Sequence, residues 1–285
     1  MNTREEEEIL KVAEEISKIV PSFCGVTLGG SRSHEHDDAL SDVEMYFYSQ
    51  TDIPVLEDIN TCMNNLRAKH KRCDSYLWNM YPWGPHTFFV VNDLYFEVGY
   101  RVLRETQDKI NAYLLGNVQA TSDCHDLGLG YVYSGLAFSV CAEKILMQTG
   151  NELDILKENA KKFPPELKKA LKNEYLDTAE SLLYGKMKSA VERGDVFLYD
   201  ILASRVIRSL MVMAFACSCT HFPGDKWNEI LLMETDWNEK KYFVELIKKH
   251  AAYNSFVRDE LKKKYNVLII AYLLVLGDCR WEKDY

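Results

Sequence analysis

The spacing of apolar side chains changes near residue 115. Before that point, short segments alternate apolar and polar residues, as strands do, and are separated by stretches with helical spacing. After it, long stretches with helical spacing follow one another. We therefore predict an α/β domain at residues 1–115 and an all-α domain at residues 116–285.

The first domain is predicted to contain two helices and five strands. Strands at 43–48 and 93–101 each have one apolar side and one side that carries carboxylates. This alternation indicates a mixed sheet with helices packed on one face and the opposite face open, which is an α/β (α+β) fold. The predicted helices cover residues 9–20 and 53–70, and the predicted strands cover residues 23–28, 43–48, 75–78, 87–91 and 93–101.

The second domain is predicted to be helical throughout. Glycine and proline punctuate its helical stretches, and we find no internal repeat. The predicted helices cover residues 131–147, 165–191, 197–217, 227–233 and 244–276, the last with a break near residues 251–255.

Charge is distributed unevenly between the two domains. The first has 11 lysines and arginines against 19 aspartates and glutamates, whereas the second has 23 against 24. Without a basic stripe the chain is not expected to bind nucleic acid, while an acidic domain tolerates a cationic small molecule. The chain has no apolar run of membrane-spanning length and starts with an acidic amphipathic segment. We therefore expect a cytoplasmic protein without a membrane partner.

The residues from Leu28 to Tyr48, LGGSRSHEHDDALSDVEMYFY, contain the candidate chemistry. They are predicted to form a strand end, a Gly-Gly-Ser turn, a polar loop and a second strand, on which Asp42 and Glu44 share one face. Neighbouring carboxylates repel unless a cation lies between them, and Mg²⁺ prefers oxygen ligands. Gly30 permits close approach of the backbone to a ligand, and a serine hydroxyl beside unpaired amides suits a phosphate.

Gly29-Gly30-Ser31, followed after a nine-residue loop by Ser41-Asp42-Val43-Glu44, resembles the signature of the nucleotidyltransferase superfamily. The resemblance is to the antibiotic (aminoglycoside/lincosamide-type) branch, with a minimal-nucleotidyltransferase-like N-terminal domain. It implies a nucleotidyltransferase-type mixed sheet followed by helices that close over the substrates. It also implies ATP as the nucleotide donor and two Mg²⁺ ions.

Such enzymes place a third acidic residue on a later strand, beside the Asp-x-Glu strand. Glu97 has the strand phase that this arrangement needs. The resemblance thus implies that Asp42, Glu44 and Glu97 are metal ligands and catalytic residues, with Glu97 able to ligate a metal or accept a proton. Asp93 and Glu105 remain alternatives for the third acid.

The nucleotide phosphates are predicted to contact residues from both domains. In the first domain these are Gly30, Ser31 and Arg32, of which the arginine is equally explained as a loop residue. In the second they are Lys144, on a helix, and Lys226, after a Pro-Gly-Asp turn. For each lysine, an ordinary surface position is the alternative.

The implied reaction is Mg²⁺-dependent transfer of AMP from ATP to a hydroxyl of a small acceptor, with release of pyrophosphate. An aminoglycoside or lincosamide antibiotic is the expected acceptor, and it can be cationic. Core packing explains the aromatic residues equally well, but the open sheet face and its rim are expected to supply an acceptor pocket from Tyr46, Tyr48, Tyr95, Trp78, Trp83 and His86.

Two other functions stay open. One is AMP transfer to a protein partner, as in the much shorter minimal nucleotidyltransferase antitoxins. The other is a nucleotide-binding module without activity.

Overall fold

A computed structural model describes residues 3–34, 36–38, 41–72, 84–120, 133–226 and 228–279. The chain forms two compact units. The sheet unit comprises Met1–Ala112 and Ala120–Lys162, and the helical unit comprises Tyr113–Gln119 and Phe163–Tyr285. A mixed sheet with helices, followed by further helices, confirms the predicted fold class.

The described residues include a six-stranded sheet. Its strands are β1 (Phe23–Leu28), β2 (Val43–Ser49), β3 (Lys69–Arg72), β4 (His86–Val91), β5 (Leu94–Val102) and β6 (Lys144–Gln148). They are arranged in the order β3-β4-β5-β2-β1-β6. β2 and β5, which carry the predicted carboxylates, are parallel neighbours, and the other pairs are antiparallel.

One face of the sheet buries an apolar core. Val43 and Phe47 of β2 and Phe96 of β5 point into it, as the alternation of side chains along a strand requires. The helices Thr3–Ser17 and Leu56–Asn65 cover this face with their own apolar stripes. Burial of each large apolar side chain contributes about 1.5–3 kcal/mol, which orients β2 and β5 with their polar side chains on the opposite face.

The second predicted helix ends earlier than expected. It stops at Asn65 instead of residue 70, because Arg67 adopts a left-handed conformation with φ of 54°. The Ala68 amide donates to the Met63 carbonyl at 2.9 Å, a bond that closes the last turn. Lys69–Arg72 then forms β3, and the strand predicted at 75–78 lies outside the described residues.

The largest difference from prediction is β6. The helix predicted over 131–147 ends at Ala142, and Lys144–Gln148 pairs with the edge of β1. Its apolar run fits a helix or a strand equally well, and the open edge of β1 decides for the strand. The sheet unit therefore extends to residue 162, beyond the predicted boundary at 115, and the second half of the chain is not all-α.

Part of the polar face of the sheet is covered, where an open face was predicted. Tyr46 and Tyr48 of β2 are only 7% and 0% exposed, and Arg101 of β5 is also buried. Glu143 follows the helix Ser134–Ala142, and its buried carboxylate accepts hydrogen bonds from side chains of this face. The two tyrosines therefore cannot line an open acceptor pocket.

The helical unit agrees closely with the predicted helices. Its first helical run passes through two π-helical turns and ends where Gly194 adopts φ of 73°. The helices are Pro165–Leu171, Asp177–Leu182, Lys188–Arg193, Val196–Cys217, Asn228–Glu234, Lys240–Ala252 and Arg258–Asp278, and the π-helical turns are Lys172–Leu176 and Leu183–Met187. Within the described part of the chain, no helix has the length and apolar character needed to cross a membrane.

A buried histidine should make the helical unit sensitive to acid. His250 Nε2 lies 3.1 Å from the Tyr199 hydroxyl, and burial together with nearby Lys264 lowers the pKa of His250 to about 4, against the opposing effect of Asp200. Because the unfolded chain binds this proton more tightly, the contribution of His250 to stability is complete above pH 6.5. This contribution is lost as the pH falls toward 4. At pH 5 the loss amounts to roughly 1–2 kcal/mol of the free energy of unfolding.

Chemical denaturation at pH 7 and pH 5 measures this effect. The free energy of unfolding of His250→Gln should fall less between the two pH values than that of the wild type. An equal fall in both proteins would contradict the assignment.

Candidate functional site

The parallel pairing of β2 and β5 brings the three predicted carboxylates together. Glu44 and Glu97 are partners in the register of the two strands, and Asp42 immediately precedes β2. One oxygen from each of the three carboxylates lies within 4.8 Å of the others, and all three side chains are partly exposed. Three negative groups at this separation repel one another, and a hard divalent cation bound by oxygen ligands relieves the repulsion.

The glycine turn lies directly against this cluster. The Gly29 amide donates to the Glu44 carbonyl at 2.8 Å. Gly30 has φ of 60°, and a Cβ at this position would lie 2.5 Å from Glu44 Oε1. Ser31 is half-buried in the single helical turn Gly30–Ser33 that follows. Glycine at position 30 therefore lets the turn approach the Glu44 carboxylate.

Arg32 contacts the loop that leads into β2. Its Nε donates to the Asp42 carbonyl at 2.9 Å and its Nη2 to the Ser41 carbonyl at 3.2 Å. Its Nη1 lies 3.6 Å from the Asp37 carboxylate. These contacts hold the backbone of Asp42 in place, so the structure gives Arg32 a positioning role. Phosphate binding by Arg32 stays a prediction.

Lys144 and Lys226 lie in different units. Lys144 is on β6, not on a helix, and pairs with Leu28, the residue before the glycine turn. It is exposed at the end of the sheet where that turn lies. Lys226 belongs to the helical unit, beside Asp225, which forms an ion pair with Arg208. Phosphate binding by either lysine stays a prediction.

The two alternative acids lie elsewhere. Asp93 occupies the two-residue turn between β4 and β5, where it and Asn92 both have positive φ. Glu105 is in the helix Leu103–Leu114 beyond the end of β5. Among the described residues neither joins the carboxylate cluster, which leaves Glu97 as its third acid.

His86 lies deep in the site instead of at its rim. It is fully buried on β4, with Nδ1 2.9 Å from the Gly84 carbonyl and Nε2 3.7 Å from Glu97 Oε1. Burial lowers the pKa of His86 to about 3, so the ring is neutral near pH 7. The Gly84 carbonyl can only accept, which assigns the ring proton to Nδ1. Trp78 and Trp83, also predicted near the rim, lie outside the described residues.

Sequence reasoning missed a buried polar cluster next to the site. Arg101 Nη1 donates to the Tyr48 hydroxyl at 2.6 Å and to Glu143 Oε1 at 2.7 Å. Glu143 also accepts hydrogen bonds from Thr27 and Ser139. Burial alone would raise the pKa of Glu143, but the Arg101 charge and these hydrogen bonds lower it below its usual value. The sequence did contain one signal for this cluster: Arg101 is four residues after Glu97 and therefore lies on the same face of the strand.

Substitution of Gly30 should destabilise the sheet unit. In Gly30→Ala, a left-handed conformation costs roughly 1–2 kcal/mol, and the new Cβ meets the Glu44 carboxylate. Gly194→Ala is a matched control, because Gly194 also has positive φ but has nothing within 4 Å of the added Cβ. Chemical denaturation should show a larger loss for Gly30→Ala, and equal losses would contradict the close approach.

Comparisons with known proteins give distant similarities. Residues 134–228 match a family described as Domain of unknown function (DUF4037), which is fewer than half of the residues in the chain. Among solved structures, the chain is similar to a nucleotidyltransferase-like protein from Exiguobacterium sibiricum 255-15. The TM-score is 0.45 at 9% sequence identity, over 96% of this chain and 74% of that protein. Comparison with curated proteins finds no match.

Proposed function

We propose that this chain is a Mg²⁺-dependent nucleotidyltransferase. It transfers AMP from ATP to a hydroxyl of a small acceptor and releases pyrophosphate. The observation that carries the proposal is the convergence of Asp42, Glu44 and Glu97 beside the turn formed by Gly29 and Gly30. An aminoglycoside or lincosamide is the first acceptor class to test, because the acidic charge of residues 1–115 attracts cations.

The donor set fits Mg²⁺. Oxygen atoms of Asp42, Glu44 and Glu97 would hold one or two ions, and their partial exposure leaves room for water and phosphate oxygens. A bound ion supplies positive charge that neutralises the phosphate oxygens as the α-phosphorus reacts. The imidazole of His86 is neutral, so it does not neutralise the negative charge of the neighbouring Glu97 carboxylate.

In the proposed reaction the acceptor oxygen bonds to the α-phosphorus, and the bond from that phosphorus to the bridging oxygen of pyrophosphate breaks. Glu97 takes the proton of the acceptor hydroxyl, directly or through water. The backbone at Gly30 and the hydroxyl of Ser31 contact the β- and γ-phosphates. Lys144, in the same unit as the carboxylate cluster, is a further candidate for phosphate contact.

The test is incubation with each nucleoside triphosphate, Mg²⁺ and a panel of aminoglycosides and lincosamides. We expect pyrophosphate release with ATP, an added adenylyl mass on one acceptor, loss of both with EDTA and recovery with excess Mg²⁺. An added adenylyl mass on a protein instead of a small molecule would favour AMP transfer to a protein partner. ATP binding without transfer to small molecules or proteins would favour an inactive module and contradict the proposal.

A further inference from the structure

Tyr46 contacts one of the proposed metal ligands directly. It lies two residues after Glu44 on the same face of β2, and its hydroxyl donates to Glu44 Oε2 at 3.0 Å. A phenol keeps its proton at neutral pH, and a carboxylate only accepts, so the direction of this hydrogen bond is fixed. Tyr46 is only 7% exposed, so little of this residue is in contact with water.

The ring of Tyr46 is held between two glycines. A Cβ on Gly29 would lie 2.5 Å from Tyr46 Cε2, and a Cβ on Gly99 would lie 2.7 Å from Tyr46 Cδ1. Gly29 is the first glycine of the turn, and Gly99 is the partner of Tyr46 on β5. Any larger residue at either position would displace the ring, so the two glycines form a slot for it.

A buried cation holds the ring from a third side. The guanidinium carbon of Arg101 lies 3.6 Å from the centre of the Tyr46 ring, within the range of a cation–π interaction. Arg101 is in turn fixed by its ion pair with Glu143 at 2.7 Å. Tyr46 therefore has one position available, and in that position its hydroxyl meets Glu44.

Glu44 needs such a partner more than an aspartate would. Its side chain has one more rotatable bond than that of aspartate, so more conformational entropy is lost when it is fixed in place. Hydrogen bonds to ligating carboxylates orient them and are worth roughly 10–100-fold in metal affinity or activity. Resting on the proposed function, we infer that Tyr46 is a positioning residue that orients Glu44 for metal binding.

Binding of Mn²⁺ tests this inference without measuring catalysis. In Tyr46→Phe, the ring stays in its slot and only the hydroxyl is lost, so the Kd for Mn²⁺ should rise about tenfold. Tyr48→Phe is the matched control, because it removes a buried hydroxyl from the same strand face whose partners are Glu143 and Arg101. It should lower the unfolding temperature and leave the Kd for Mn²⁺ at the wild-type value.

A double-mutant cycle with Glu44→Asp shows whether the effect passes through Glu44. The shorter side chain withdraws from the Tyr46 hydroxyl, so Tyr46→Phe should change the Mn²⁺ affinity of Glu44→Asp by less than twofold. A full tenfold effect in that background, or an equal effect of Tyr48→Phe, would overturn the inference.

The outcome for the wild type separates the two proposals. Wild-type protein that binds Mn²⁺ with an affinity unchanged in Tyr46→Phe would overturn the positioning role alone. Wild-type protein that binds no Mn²⁺ would overturn the proposed function, and the positioning role with it.

Discussion

Asp42→Asn should reduce the rate of pyrophosphate release by about 10³-fold. The amide has nearly the shape of the carboxylate but lacks the charge that holds a divalent cation. A bound metal is worth several kcal/mol of transition-state stabilisation, and each 1.36 kcal/mol changes the rate tenfold. Steady-state assays with ATP, Mg²⁺ and the acceptor found in the panel measure the loss.

The fold of Asp42→Asn should stay intact. Arg32 contacts the backbone carbonyl of Asp42 instead of its side chain, and the substitution removes one of three neighbouring negative charges. The free energy of unfolding without metal should therefore be unchanged or slightly higher. Asp58→Asn makes the same chemical change at an exposed position of the helix Leu56–Asn65 and should keep full activity. A rate for Asp42→Asn within tenfold of the wild type would remove Asp42 from the reaction.

Glu143→Ala should have the largest effect on stability. It leaves the Arg101 guanidinium buried without its counter-ion and removes the acceptor of the Thr27 and Ser139 hydroxyls. Loss of one partner from a buried ion pair costs about 3–5 kcal/mol, a large part of the stability of a typical domain. Chemical denaturation of the full chain, followed by a probe in the sheet unit, measures the change.

Two further variants identify the cause of this loss. Glu158→Ala removes an exposed glutamate paired with Lys161 at 2.6 Å, and it should cost less than about 1 kcal/mol. The double variant Arg101→Met with Glu143→Leu replaces the ion pair by apolar groups and should be more stable than Glu143→Ala alone. A loss below about 1 kcal/mol for Glu143→Ala would mean that solvent reaches Arg101 when the carboxylate is absent.

The carboxylate cluster was predictable because its determinants are local. The alternation of Val43 and Glu44 predicts that Glu44 lies on the polar face of its strand. The strand phase of Glu97 predicts that Glu97 lies on the polar face of another strand. That the two strands are neighbours came from the resemblance to a known family, since periodicity does not record which strands pair. The parallel register of Glu44 with Glu97 supports that expectation.

The errors share a physical cause, which is that tertiary partners decide between alternatives of similar local preference. Lys144 lies in an apolar run that fits either period, and the edge of β1 makes it part of a strand. Tyr46 and Tyr48 have the strand phase of a polar face, yet Glu143 and Arg101 bury them. The backbone contacts of Arg32 with Asp42 and Ser41 likewise depend on the folded loop, so the sequence did not predict them.

The return of the chain into the sheet at β6 restricts how this protein can be dissected. A fragment that stops at residue 115 keeps Arg101 but lacks Glu143, and it leaves the edge of β1 unpaired and open to association with other strands. Residues 113–119 belong to the helical unit while residues 120–162 belong to the sheet unit. No single cut separates the two units intact, so a minimal sheet fragment has to run through residue 162.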